Sequence, residues 1–365
     1  MQFRDLQRQY EALKPAIDHA MVEVASSGTF ILGRKVEELE SRLAEYVGVR
    51  HCVTCGNGTD ALYLALRVWG IGPGDAVFVP DFTFFASAEV VSLVGATPVF
   101  VDVDEGTFNM SASDLERKIG MVRSTTSLRP KVILAVDLFG LPAEYPVLRE
   151  IADRNGLLVL EDGAQGFGGC IGDRKACSFG DIGITSFFPA KPLGCYGDGG
   201  ALFTDNESWA DMARSYRAHG RSADKYNNVR VGINSRLDAL QAAVLLVKIE
   251  VFDKELDAMD AVAAQYTSCF CDRAHCPIVP HGYRSSWAQY TLRFDNAQQR
   301  DAFRFALSKK DVPTQIYYPT PLHLQPVYRD MGEAYCPVAT RLSNTVLSLP
   351  MHPYLTIEEI ERITQ

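Results

Sequence analysis

Lys191 follows the apolar run Ile184 to Phe188 and precedes a turn in which Gly194, Gly197, Gly199 and Gly200 are crowded together. A lysine in this setting does not belong to a solvated helix face. The run reads as a buried strand, and the glycines permit close backbone approach or positive φ where the chain leaves it. In a partly desolvated pocket the ammonium form is disfavoured, so the neutral amine can form a Schiff base with an aldehyde. Upstream, residues 157–162 form an apolar strand that ends in two acids, Glu161 and Asp162, with Gln165 three residues further on. Parallel α/β sheets place ligands outside the carboxyl ends of their strands, so Asp162 falls where chemistry is done.

Pyridoxal phosphate needs both groups: a lysine for its aldehyde, and a carboxylate that keeps the ring nitrogen protonated so that the ring acts as an electron sink. A third stretch, Cys55-Gly56-Asn57-Gly58-Thr59-Asp60-Ala61, follows the first strand and opens a helix. Backbone amides and the helix dipole make an anion site there, and Ser186, just ahead of the lysine, can add a hydroxyl to the same phosphate. This stretch also fits the G-x-G-x-x-A dinucleotide fingerprint, with Asp81 about twenty residues on as a ribose ligand. A nicotinamide reading leaves Lys191 and Asp162 without a task, whereas pyridoxal phosphate uses all three stretches. Residues 80–85 bring three phenylalanines, Phe82, Phe84 and Phe85, to the end of the second strand, where one can stack on a flat ring.

The elements that must position these groups repeat as strand, loop and helix. The pattern predicts strands at His51 to Cys55, Ala76 to Pro80, Thr97 to Val103, Lys131 to Val136, Leu157 to Glu161, Ile184 to Phe188 and Ala201 to Thr204. Helical spacing intervenes at Thr59 to Val68, Ala86 to Val94, Ser113 to Ile119, Tyr145 to Asn155 and Trp209 to Arg217. Such alternation implies an α/β fold with a mostly parallel seven-stranded sheet covered on both faces. Residues 1–50 read as helix, turn, helix. A strongly apolar helix from Arg236 to about Phe252 leads into more helix, then strands near Trp287 to Phe294 and Thr314 to Tyr318. The expected division is a large domain over residues 1–250 and a smaller C-terminal α+β domain over residues 251–365.

A chain of 365 residues with a net charge of −9 is unsuited to nucleic acid or an anionic membrane surface. The charged start lacks the apolar core of a signal peptide, and no later run approaches a membrane span, so a cytoplasmic protein is expected. Nine scattered cysteines suit reduced thiols better than a disulfide framework. His51-Cys52-Val53-Thr54-Cys55, and Cys269 and Cys271 with His275 and Cys276, lack a complete four-ligand set, so no metal is expected.

With these residues in hand, the chain resembles the sugar aminotransferases of the DegT/StrS type, within the fold type I pyridoxal phosphate enzymes. The likeness runs from Phe3-Arg-Asp-Leu6 to residues 348–355, and it is carried by residues 58–62, 161–165, 186–191, 217–221, 232–236 and 318–323. The resemblance implies that Lys191 binds the cofactor aldehyde and shuttles the proton, Asp162 pairs with the ring nitrogen and Gln165 lies by the ring hydroxyl. It implies that Phe84 stacks on the ring, that Gly58, Thr59, Asp60 and Ser186 form the phosphate site, and that Asn234 reaches that phosphate from the other subunit of a homodimer with shared active sites. Arg236, Tyr317, Tyr318 and His323 match positions that face the sugar. The implied reaction moves an amino group from glutamate to a 3-keto nucleotide-linked sugar, with a UDP-2-acetamido-3-keto uronate as the nearest likeness, for building surface polysaccharide. A dTDP-linked 3-keto-6-deoxy or 4-keto sugar is the alternative. Similar enzymes acting on the uronate have His-Tyr where this chain has Tyr317-Tyr318, a departure that bears on the sugar and not on the cofactor.

Overall fold

Seven strands line up in one sheet in the order β1-β9-β8-β5-β4-β2-β3 in the computed structural model, which describes residues 1–224, 226–331 and 334–365. In chain order these strands are β1 (His51–Cys55), β2 (Asp75–Pro80), β3 (Thr97–Val101), β4 (Arg129–Val136), β5 (Leu158–Asp162), then the two-residue β6 (Cys170–Ile171) and β7 (Arg174–Lys175), then β8 (Ile182–Ser186) and β9 (Gly200–Thr204). Further on, β10 (Tyr283–Arg284) pairs with β6, while β11 (Tyr290–Arg293) and β12 (Val346–Leu349) form a separate antiparallel pair. Only β9 runs against its neighbours in the main sheet, so the expected mostly parallel seven-stranded α/β fold is present.

The helices are α1 (Leu6–Ser27), α2 (Arg34–Val47), α3 (Gly58–Val68), α4 (Ala86–Leu93), α5 (Ala112–Thr125), α6 (Tyr145–Asn155), α7 (Glu207–Tyr216), α8 (Ala239–Ile249), α9 (Phe252–Phe270), α10 (Ala297–Ser308), α11 (Pro337–Thr345) and α12 (Ile357–Thr364). They cover the sheet on both faces, which is why every residue of β2 and of β9 is buried. Cys55 packs into one apolar cluster with Val53, whereas Cys52 packs into another with Phe203. Strand alternation thus puts the two thiols of the first cysteine pair on opposite faces, where they cannot share an ion.

One apolar cluster joins Phe203 of β9 and Phe187, just past the end of β8, to Phe252, Tyr266, Tyr290 and Leu347, so the core continues across the expected boundary at residue 250. The segment Thr314 to Tyr318, expected as a strand, makes a single bridge from Gln315 to Ser348. Pro313 and Pro319 bracket it and deny it ladder donors on either side.

Strand order brings the chemical stretches together. β5 lies beside β8 with Asp162 opposite Ile184. β8 lies beside β9 with Ser186 opposite Gly200, and Gly200 is also opposite Cys55 at the end of β1. A Cβ on Gly200 would sit 2.4 Å from the carbonyl carbon of Asn57, and one on Gly194 2.4 Å from the carbonyl oxygen of Pro189. Of the two uses for the turn glycines, close backbone approach is the one realised. None of the four has a positive φ.

Candidate active site

A cavity of about 400 Å³ opens at the carboxyl ends of the parallel strands, walled by Asp162, Gln165, Ser186 and Lys191 among others. Asp162 ends β5 and is buried. Its Oδ2 accepts a 2.8 Å hydrogen bond from Ser87 Oγ, and its Oδ1 accepts one of 3.2 Å from the amide of Ala164. Burial raises the Asp162 pKa, while these two hydrogen bonds and the charge of Lys191 pull it back. The adjacent acid, Glu161, points the other way, as strand alternation requires, and its carboxylate is spent on the amides of Cys177, Phe179 and Gly180.

Lys191 lies in the loop after β8, as expected, and lines the same cavity as Asp162. Desolvation lowers its pKa most, Asp162 works against that, and the guanidinium of Arg4 adds to it. Burial therefore shifts Lys191 toward the neutral amine that attack on an aldehyde requires, against the pull of Asp162.

At the other end of the cavity, α3 begins. Asn57 caps it, its Oδ1 accepting a 2.7 Å bond from the amide of Asp60, and Gly58 and Thr59 form the cavity wall. Gly58 approaches Ser186 so closely that a Cβ there would lie 2.7 Å from Ser186 Cβ. The helix N-terminus and the Ser186 and Thr59 hydroxyls together suit an anion. The carboxylate of Asp60 is occupied elsewhere: its Oδ2 accepts from Ser235 Oγ at 2.6 Å and from Asn57 Nδ2 at 3.1 Å. Asp60 thus orders the loop that carries the anion site.

Phe84 is the exposed phenylalanine of its trio at the cavity, 55% accessible, whereas Phe82 is buried. Spacing could not choose among the three; burial does. Gln165 is fixed at both ends, its Oε1 accepting from the Phe139 amide at 2.7 Å and its Nε2 donating to Tyr318 Oη at 2.9 Å. Tyr317 and Tyr318 both line the cavity. Asn234, Arg236 and His323 do not belong to the cavity wall of a single chain. Asn234 is exposed, and Arg236 is half-buried with no carboxylate at ion-pair distance among the described residues. His323 donates its amide to Asp81 Oδ1 at 2.8 Å and sets Nδ1 2.5 Å from Asp81 Oδ2. Since Asp81 is wholly buried and both its oxygens are engaged, it cannot serve a ribose.

Sequence reasoning missed four contributors. Ser87 acts on Asp162, and Arg4 acts on the lysine loop. Thr83 and Gln289 line the cavity, and Thr83 Oγ1 and Gln289 Oε1 are buried without a partner among the described residues. Such orphaned atoms on a cavity wall call for a polar ligand. An amine, a carboxylate, an accessible aromatic face and an anion site around one cavity fit pyridoxal phosphate in each part of that molecule.

The sequence model of the DegT/DnrJ/EryC1/StrS aminotransferase family matches residues 11–365. The UDP-2-acetamido-2-deoxy-3-oxo-D-glucuronate aminotransferase of Pseudomonas aeruginosa is 42% identical over 364 residues, covering 100% of this chain and 98% of its own. The crystal structure of a DegT DnrJ EryC1 StrS aminotransferase from Brucella abortus superposes with a TM-score of 0.97 at 47% identity, covering 100% of this chain and 97% of its own. NtdA from Bacillus subtilis, solved with the cofactor PMP bound, superposes with a TM-score of 0.91 at 28% identity, covering 100% and 83%.

Proposed function

The chain belongs to the DegT/DnrJ/EryC1/StrS aminotransferase family, and on that premise we propose that it transfers an amino group from glutamate to a UDP-linked 2-acetamido-3-keto uronic acid. The cofactor is pyridoxal phosphate. When bound, it supplies an aldehyde for amine exchange and a protonated ring that withdraws electrons from the carbon giving up its proton.

The chain's own residues divide the remaining work. Lys191 Nζ would hold the aldehyde and, as a free amine, would move the proton at the reacting carbon. Asp162 would hold the ring nitrogen in its charged form, with Ser87 keeping that carboxylate aimed. Phe84 would cover one ring face, Gln165 would stand by the ring hydroxyl, and Gly58, Thr59 and Ser186 would receive the phosphate. Asp60 supports that loop from behind. Asn234, exposed in one chain, completes the phosphate site of a partner subunit in a homodimer. The observation that carries this reading is the shared cavity of Lys191 and Asp162, in which each changes the other's proton affinity.

Arg236 supports a uronate acceptor. A half-buried guanidinium without an ion-pair partner among the described residues is free to take a sugar carboxylate, and so is not explained as a structural salt bridge. Tyr317, Tyr318 and His323 would frame the sugar ring. A panel of keto-sugar nucleotides with glutamate as donor, followed by 2-oxoglutarate release, tests the assignment. The UDP-linked 3-keto uronate should turn over fastest. Equal turnover of neutral 3-keto or 4-keto sugars would remove the uronate from the assignment.

A further inference from the structure

We propose that Arg4 is a positioning residue for Lys191: from the amino-terminal segment its guanidinium clamps the carbonyls of the lysine loop and brings an unpaired cation to the loop that carries the amine. The inference rests on Lys191 being the cofactor lysine.

The clamp is direct. Arg4 Nη2 donates to the carbonyl oxygen of Lys191 at 2.9 Å and to that of Pro192 at 3.3 Å. Lys248 of α8 also donates to this loop, from Nζ to the carbonyl oxygen of Gly194 at 2.7 Å. The loop has turn hydrogen bonds of its own, such as Lys191 N to the Phe188 carbonyl at 2.8 Å, and the cationic donors aimed at its carbonyls add to them in fixing the backbone that carries the Lys191 side chain.

The charge of Arg4 is not cancelled on the spot. No carboxylate lies at ion-pair distance from it among the described residues, and its Nη1 is buried without a partner. Glu255 of α9 is the acid it senses, but the two Glu255 oxygens already accept from Gln9 Nε2 at 3.0 and 3.1 Å, and Oε1 also accepts from Tyr354 Oη at 2.6 Å. Burial brings the Arg4 pKa down to about 10, which leaves it a cation at neutral pH. Lys248 and His352, on neighbouring elements, also feel it. Two charges face Lys191: Asp162 from β5, which favours its ammonium form, and Arg4, which disfavours it. In a desolvated setting an unpaired cation acts at longer range than it would in water, so Arg4 offsets part of the pull of Asp162.

Competitive labelling of the apoprotein tests this without the cofactor. Trace acetic anhydride is applied across a pH series, and acetylation of Lys191 is quantified by mass spectrometry against exposed lysines. The midpoint reports the amine's protonation, and the plateau reports its accessibility. Arg4→Lys, which keeps charge and a donor, should follow the unsubstituted protein. Arg4→Gln and Arg4→Met should move the midpoint up by about one pH unit, with correspondingly less labelling below it. A wild-type midpoint in Arg4→Met would overturn the proposal. Should that variant not fold, an unshifted midpoint in Arg4→Gln would do the same. A failure of the cofactor assignment would show separately, as cofactor that never attaches to Lys191.

Discussion

Ser87 Oγ donates a 2.8 Å hydrogen bond to Asp162 Oδ2, which ties the start of α4 to the end of β5 at the wall of the cavity. A buried carboxylate with one hydroxyl and one amide donor still has lone pairs to spare, and one of them is what a protonated ring nitrogen would use. Ser87→Ala should reduce transamination about tenfold, the scale of one hydrogen bond to a charged group, with the fold intact. Asp162→Asn removes the charge itself and should cost at least about a hundredfold. Steady-state rates with glutamate and the keto-sugar would show this order. Equal rates for both variants and the unsubstituted enzyme would detach Asp162 from the chemistry.

The phosphate end depends on a missing side chain. A Cβ on Gly58 would lie 2.7 Å from Ser186 Cβ and 3.3 Å from Ser186 Cα, atoms that cannot swing aside. Gly58→Ala should therefore destabilise the protein by about 1–3 kcal/mol and weaken cofactor binding at least about tenfold. Fluorescence titration with pyridoxal phosphate, beside a thermal melt, measures both effects. An alanine variant that binds as tightly as glycine would mean that the loop does not cradle the phosphate.

On the proposed reading Arg236 would separate acceptors by charge. Arg236→Ala should raise KM for a uronate acceptor about tenfold or more while leaving the half-reaction with glutamate untouched. Stopped-flow measurement of each half-reaction distinguishes the two. A matching loss with a neutral 3-keto sugar would place Arg236 on the nucleotide or in the framework instead.

His352 is 1% exposed, and neither ring nitrogen has a partner among the described residues. Burial is the main cause that lowers its pKa, to about 4, with Arg4 and Arg8 adding to the effect and Asp5 and Glu359 opposing it. The unfolded ring titrates near the ordinary histidine value, so between about pH 6.5 and 4 the unfolded state binds the extra proton. Stability should fall as pH drops through that window. His352→Leu should flatten this part of the melting-temperature profile, and an unchanged profile would rule out His352 as its source.

Much of this was legible because apolar runs mark parallel strands buried on both faces. β1 falls where the pattern placed it, as does α6. Where edges moved, the reason is packing. The run before Lys191 stays apolar through Phe187, which is buried, although the strand ends at Ser186. Asp162 and Lys191 could be paired because each follows its own strand, and strand ends share one side of a parallel sheet. Arg4 and Ser87 left no comparable signal. Their partners lie 187 and 75 residues away, and only the order of strands and the return of the amino-terminal segment join them. Glu161 and Asp60 looked equivalent to their neighbours until alternation and capping turned their carboxylates away from the cavity.

Borohydride reduction of the cofactor-loaded protein, followed by digestion and peptide mass spectrometry, tests the central assignment most directly. One pyridoxyl group per chain on Lys191, lost together with the visible absorbance in Lys191→Ala, is the expected result. A stoichiometric label on any other lysine, or full absorbance retained in Lys191→Ala, would contradict it.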